Sequence, residues 1–170
     1  ANGSQTGITQ PSADPSINGV SLLLHLNGNN GPTSFFDLSP RPKVLTANGN
    51  VQITATPSAF GNGSAAFDGA GDYLTTPHHA DLDLATGDFT VEAWVRFNSL
   101  ASTVILLNKA NGTGYRAYQL RVTSGKFVAS GYSSSSALAF NLTSTTAAAT
   151  GAWYHLALSR QGANFRLFVN

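Results

Sequence analysis

Cysteine is absent from the 170 residues, so neither a disulfide framework nor a thiolate metal site is open to this chain. An extracellular animal module of this size would ordinarily carry a disulfide, and the lack of one points to a microbial or viral source. Methionine is absent too, and the first residue is Ala1. That start is expected of a chain that has lost its initiator or is an excerpt of something longer. Charge is scarce: Asp, Glu, Lys and Arg make up 10% of the chain, against about 25% in ordinary soluble domains. With a net charge of +1 and no run of basic residues, nothing here neutralises a row of phosphates, which excludes a nucleic-acid partner. No apolar run approaches the roughly 20 residues of a membrane-spanning helix, and the N-terminus has no signal-peptide core, so membrane insertion is not expected. Long helices are lacking as well. The Ala147-Ala148-Ala149 run is flanked by Thr145, Thr146, Thr150 and Gly151 and is too short to hold a helix.

What remains is a chain whose polarity comes from Ser, Thr, Asn and Gly, organised as short alternating runs. The longest is 88–97, where Phe89, Val91, Ala93, Val95 and Phe97 share one face and Thr90, Glu92, Trp94 and Arg96 the other. It is expected to be the central strand. Upstream, 1–19 is polar and Pro-containing and reads as an extended arm or linker. Strands are expected at 20–26, 43–47 and 51–56, with two more within 60–75 joined by a Gly-rich turn, and a loop follows at 78–85. Downstream, strands are expected at 103–109, 115–122, 127–131, 138–142, 153–159 and 165–169. Segments of four to eight residues separated by Gly and Asn turns, with no long helix, describe an all-β sandwich as one domain over 20–170.

Five blocks then occur in order: Leu22-Leu23-Leu24-His25-Leu26-Asn27-Gly28, Ala65-Ala66-Phe67-Asp68-Gly69, Gly71-Asp72-Tyr73-Leu74, Gly87-Asp88-Phe89-Thr90-Val91-Glu92-Ala93-Trp94-Val95, and Trp153-Tyr154-His155-Leu156-Ala157. Together they resemble the laminin-G-like members of the concanavalin A-like lectin and glucanase superfamily, from about residue 20 to the end. The resemblance implies a jelly roll of two antiparallel sheets. The first and fourth blocks look most like modules of bacteriophage tail and fibre proteins. They imply a structural or attachment role in a virion, among other subunits of a multimeric assembly and outside the cell; a secreted or cell-surface microbial adhesion domain is the alternative. In that family further strands follow a hairpin turn at the position of Asn170. The expectation is therefore a chain cut short there, apparently lacking its C-terminal strands, with strand supply by a neighbouring chain as the alternative.

For chemistry, the sequence offers a binding surface more readily than a catalytic one. Hydrolysis of a glycosidic bond uses two carboxyl groups about 5 Å or about 6.5–9.5 Å apart. Glu92 is the one glutamate, and Asp88 and Asp83 are its nearest acids in sequence, without an alternating acidic triplet. The chain is thus expected not to be an enzyme. Glu92, Trp94 and Arg96 on one strand face suit a sugar, which stacks on the indole and bonds to the charged groups. The competing reading packs Trp94 under a loop or the second sheet, with Glu92 and Arg96 paired across strands. Tyr73, Tyr115, Tyr118 and Tyr132 are expected on rim loops beside such a site. The family resemblance also implies calcium on a rim, with Asp68, Asp72, Asp81 and Asp83 in suitable loop segments; turn formation by the same side chains is the alternative. His25, His78, His79 and His155 give no zinc spacing.

Overall fold

The computed structural model describes residues 15–28, 31, 33–84, 87–101, 103–110, 116–132 and 137–170. Most of the expected N-terminal arm lies outside the described residues, as do Tyr115 and the 111–114 turn. The chain is all-β, and the helical elements among the described residues are short 3-10 segments at Pro15–Gly19 and Ala80–Leu82. Its contacts divide it into two compact units, Ala1–Leu82 and Asp83–Asn170.

The first unit is built from two short ladders. Strand β1 (Thr46–Asn48) pairs antiparallel with β4 (Tyr73–Thr75), and β2 (Gln52–Thr54) with β3 (Ser64–Ala66). Phe35, Val51 and Ile53 form its core, with Leu26, Leu45, Ala47, Ala65 and Leu74 packed against them. The segment 20–26, expected as a strand, carries no ladder. It is fastened instead by a side chain: the buried Asp37 carboxylate accepts from the backbone N–H of Leu23 (3.0 Å), Ser39 (2.9 Å) and Lys43 (2.7 Å) and from the Ser39 hydroxyl (2.9 Å). Leu38 N–H adds one backbone bond to Leu23 O. Burial of Asp37 pushes its pKa up, but these four donors outweigh burial and hold it below the usual carboxylate value.

The second unit is a sandwich of two antiparallel sheets. One is the meander β6 (Thr103–Ala110), β7 (Arg116–Thr123), β8 (Lys126–Tyr132) and β9 (Leu138–Ala147). The other has the order β11 (Asn164–Val169), β10 (Trp153–Gln161), β5 (Phe89–Arg96). Strand β5 therefore stands at an edge of its sheet, not at the centre as its pattern suggested. Alternation reports that one face is buried; it does not report how many neighbours a strand has. The middle position belongs to β10, where Tyr154, Leu156, Ala157 and Leu158 are all buried.

The two inner faces meet through Val122, Phe127, Tyr154, Leu156 and Phe97 toward one end and through Tyr118, Leu120, Ala129 and Leu158 toward the other. Burying each large apolar side chain fully is worth about 1.5–3 kcal/mol. Register within the meander is set by its tightest turn. Ser124 and Gly125 have φ of 49° and 71°, the left-handed pair of a two-residue hairpin, so Thr123 faces Lys126 and Gln119 faces Ser130. That register decides which polar side chains lie side by side on the outer face.

Candidate functional site

With Phe89, Val91, Ala93 and Val95 turned into the sandwich, the even residues of β5 point outward. The pairing of β5 with β10 sets Trp94 opposite His155, Glu92 opposite Ala157 and Thr90 opposite Ser159. Strand β11 continues two of these rows, with Phe168 beside Ala157 and Arg166 beside Ser159. The indole of Trp94, 44% exposed, stacks on the His155 imidazole with ring centres 5.2 Å apart and planes 28° from parallel. Glu92 Oε2 lies 3.3 Å from His155 Nε2. Two aromatic rings and a carboxylate are thus joined in one exposed group. Phe168, half exposed, lies two strands away.

Arg96 is on the same face but is directed elsewhere. Its Nε–H donates to Gly151 O at 3.1 Å and a terminal N–H to Asn98 Oδ1 at 2.8 Å, so it ties the strand end to a loop. Glu92 thus has a partner across the strands in His155, as the competing reading expected, whereas Arg96 is held by Gly151 O and by Asn98 near the end of its own strand. Further along the face the Thr90, Ser159 and Arg166 row opens into a shallow depression of about 420 Å³, also lined by Asp88, Phe89, Arg160 and Gln161. Asp88 Oδ1 accepts from Gly162 N–H at 2.7 Å and so fixes the hairpin that closes this end. Asp88 and Glu92 are four residue steps apart along the chain, a span of about 14 Å. That exceeds the separation of a hydrolytic carboxyl pair.

The expected rim tyrosines among the described residues fall in both units. Tyr73 is exposed on β4 in the first unit, and Tyr132 is half-buried at the end of β8. Tyr118 lies on β7 in the core and not on a rim loop, 7% exposed, with its ring 6.1 Å from that of Phe89. Burial, and secondarily the negative charge of Asp83, pushes its hydroxyl up to about 12. The alternation of Tyr118 with Leu120 and Val122 carried that signal.

Nor are the four candidate aspartates gathered. Asp68 Oδ1 accepts from Ala70 N–H at 2.7 Å, and Asp72 accepts from the N–H groups of Asn50 (2.7 Å) and Asp68 (2.9 Å), so this pair shapes the Gly69-Ala70-Gly71 turn. Asp81 sits among cations, 2.8 Å from Arg41 Nε and 3.5 Å from Lys43 Nζ. Asp83 is 3.2 Å from Lys109 Nζ. Among the described residues no group of three or more His, Asp or Glu side chains is placed to hold a metal ion, and the four aspartates do not fit a calcium ligand set.

One arrangement has no counterpart among the residues singled out in the sequence. On the outer face of the meander, Asn108, Gln119, Ser130 and Asn141 are neighbours across all four strands. A terminal nitrogen of Arg121 donates to Gln119 Oε1 at 2.9 Å and to Ser130 Oγ at 2.6 Å. The Gln119 amide in turn donates to Asn108 Oδ1 at 3.5 Å. The two-residue turn at 124–125 is the sequence signal that places 121 diagonally from 130.

Comparison with known proteins places this architecture. A family model described as the concanavalin A-like lectin/glucanases superfamily matches residues 68–170. Among solved structures, the crystal structure of the binding domain of Paraclostridial Mosquitocidal Protein 1 is similar, with a TM-score of 0.63 at 15% identity. The match covers 86% of this chain and 38% of that one, and at such identity the likeness concerns the fold alone. No curated protein sequence matches the chain. The family model spans more than half of the sequence and takes in every strand of the second unit: the chain belongs to the concanavalin A-like lectin/glucanase superfamily.

Proposed function

We propose that this chain is a non-catalytic carbohydrate-binding module whose contact surface is the outer face of the β5–β10–β11 sheet. The observation that carries the reading is Trp94, nearly half exposed, stacked on His155 and held beside Glu92 on regular strands. A sugar ring offers a flat apolar face and a rim of hydroxyls. An indole fixed by a second ring supplies the stacking surface, and a neighbouring carboxylate accepts from the hydroxyls. The open depression beyond, with Thr90, Ser159, Gln161 and Arg166, gives room for further sugar units.

The nearest partner of Glu92 is an imidazole and not a second carboxyl, which supports binding without cleavage. Superfamily membership agrees with a lectin-like task. The affinity of so shallow a site is expected in the millimolar to micromolar range, about −4 to −8 kcal/mol, raised in use by many copies acting together. That suits attachment of a larger assembly, such as a virion or another surface structure whose subunits are the module's other partners. The blocks resembling phage tail and fibre modules favour the virion. The deciding experiment is a glycan array probed with the multivalent protein and with its Trp94→Ala variant. Signals lost in the variant support the reading, and no signal from the unaltered protein overturns it.

A further inference from the structure

Beyond the stacked pair, we infer that the depression at the far end of the β5–β10–β11 face is an anion subsite, in which Arg166 receives a phosphate ester carried by the ligand. It rests on the reading above only in taking that ligand to be a glycan. Arg166, Ser159 and Thr90 lie side by side in register across the three strands, and all three line the depression. None of the three side chains makes a hydrogen bond or ion pair with another described residue. Elsewhere in the second unit the described cations are engaged by protein groups, as Lys109 is by Asp83 and Arg96 by Gly151 O. Arg166 is the cation left exposed and open to a ligand.

The charge balance favours an anion here. Arg160 and Arg166 bring two guanidinium groups to the lining and Asp88 one carboxylate, which already accepts from Gly162 N–H. Glu92, the next acid along β5, lies beside His155. Residues 83–170 as a whole hold seven of the nine Lys and Arg but three of the eight acids. The choice of phosphate over carboxylate rests on the number of donors. A guanidinium edge meets two oxygens through parallel N–H bonds, which is all that a carboxylate has. A phosphate ester keeps a third strong acceptor oxygen for the Ser159 and Thr90 hydroxyls, whose strands lie about 5 Å apart. Four residue steps along β5, about 14 Å, separate this row from Trp94. The ligand so described is a glycan that stacks at one end and carries its phosphate at the other.

A matched set of small probes tests the subsite without the rest of the glycan. In titrations followed by nuclear magnetic resonance at constant ionic strength, glycerol phosphate should shift the backbone amides of Thr90, Ser159 and Arg166 saturably, about tenfold or more tightly than glycerate or glycerol. Inorganic phosphate should move the same amides and bind less tightly than the ester. Arg166→Gln should abolish these shifts while circular dichroism shows the fold retained, and Trp94→Ala should keep them. Absence of the shifts, equal affinity for glycerol phosphate and glycerate, or shifts that survive in folded Arg166→Gln overturn the inference. Tighter binding of inorganic phosphate would make this a site for the free anion and overturns it too. Array signals lost in Trp94→Ala without any phosphate shift leave the first reading standing alone. Saturable shifts with a silent array do the reverse, so the two fail separately.

Discussion

Gly131 is the register partner of Phe140, and a Cβ at 131 would collide both with the Phe140 ring and with the carbonyl of Ala117. The hydrogen atom at 131 is what lets Phe140 lie flat across β8 and stack on Phe165 of the other sheet, ring centres 4.1 Å apart and planes 14° from parallel. Gly131→Ala forces that ring or the strand to move and is expected to destabilise the second unit by about 1–3 kcal/mol. Urea denaturation followed by tryptophan fluorescence measures it, since both tryptophans, Trp94 and Trp153, lie in that unit. An unchanged midpoint would mean that the stack has slack.

Trp94→Ala should weaken glycan binding at least tenfold, in line with about 1.5 kcal/mol or more for a lost aromatic stack. Its side chain is too exposed to contribute much to folding, so the melting temperature should move little. A variant that melts much earlier would show that Trp94 supports the sheet more than a ligand.

Acid should loosen the first unit through Asp37. Its folded pKa is depressed below the ordinary value of about 3.9. The stability it contributes is thus complete above that value and disappears as pH falls through the lower folded one. Asp37→Asn should remove this dependence and lower stability at neutral pH by about 1–3 kcal/mol, because an amide cannot accept all four hydrogen bonds. Hydrogen exchange at Leu23 and Lys43 N–H against pH reads the change locally.

At the alkaline end Tyr118 governs. Its hydroxyl, pushed up to about 12 from the ordinary value near 10, favours the neutral form in the fold. The stabilisation is complete below pH 10 and is lost as pH rises from there toward 12. Ultraviolet titration should show a late tyrosine ionisation, together with unfolding, and Tyr118→Phe should remove that late step. Should Tyr118→Phe leave the titration of the folded protein above pH 10 unchanged, the buried position of Tyr118 is wrong.

Much of the architecture was legible in the sequence because period-two alternation reports burial directly. Phe89, Val91, Ala93 and Val95 inward and Glu92 and Trp94 outward follow from counting alone. The two-residue turn at Ser124-Gly125 likewise fixes every pairing between β7 and β8. Pairings between distant strands are another matter. That His155 comes to lie under Trp94, and that β5 is an edge, depend on which of many similar strands meet, and local pattern is blind to that. The segment 20–26 misled for a related reason. Its alternation resembles a strand, yet it is held by the Asp37 side chain and a single backbone bond from Leu38 rather than by a ladder. The calcium expectation rested on residue type, whereas each aspartate's task here is set by the N–H group or cation beside it.

The uneven division of charge has a bearing on how a copy-rich assembly would first touch a cell. Beyond residue 82 the chain is basic, before it acidic, and the aromatic face lies on the basic side. A negatively charged envelope would attract the basic unit, the one that carries the aromatic face. At about 0.1 M salt that pull reaches only about 10 Å. Brine would therefore slow the landing while leaving the grip, once formed through stacked rings, largely intact.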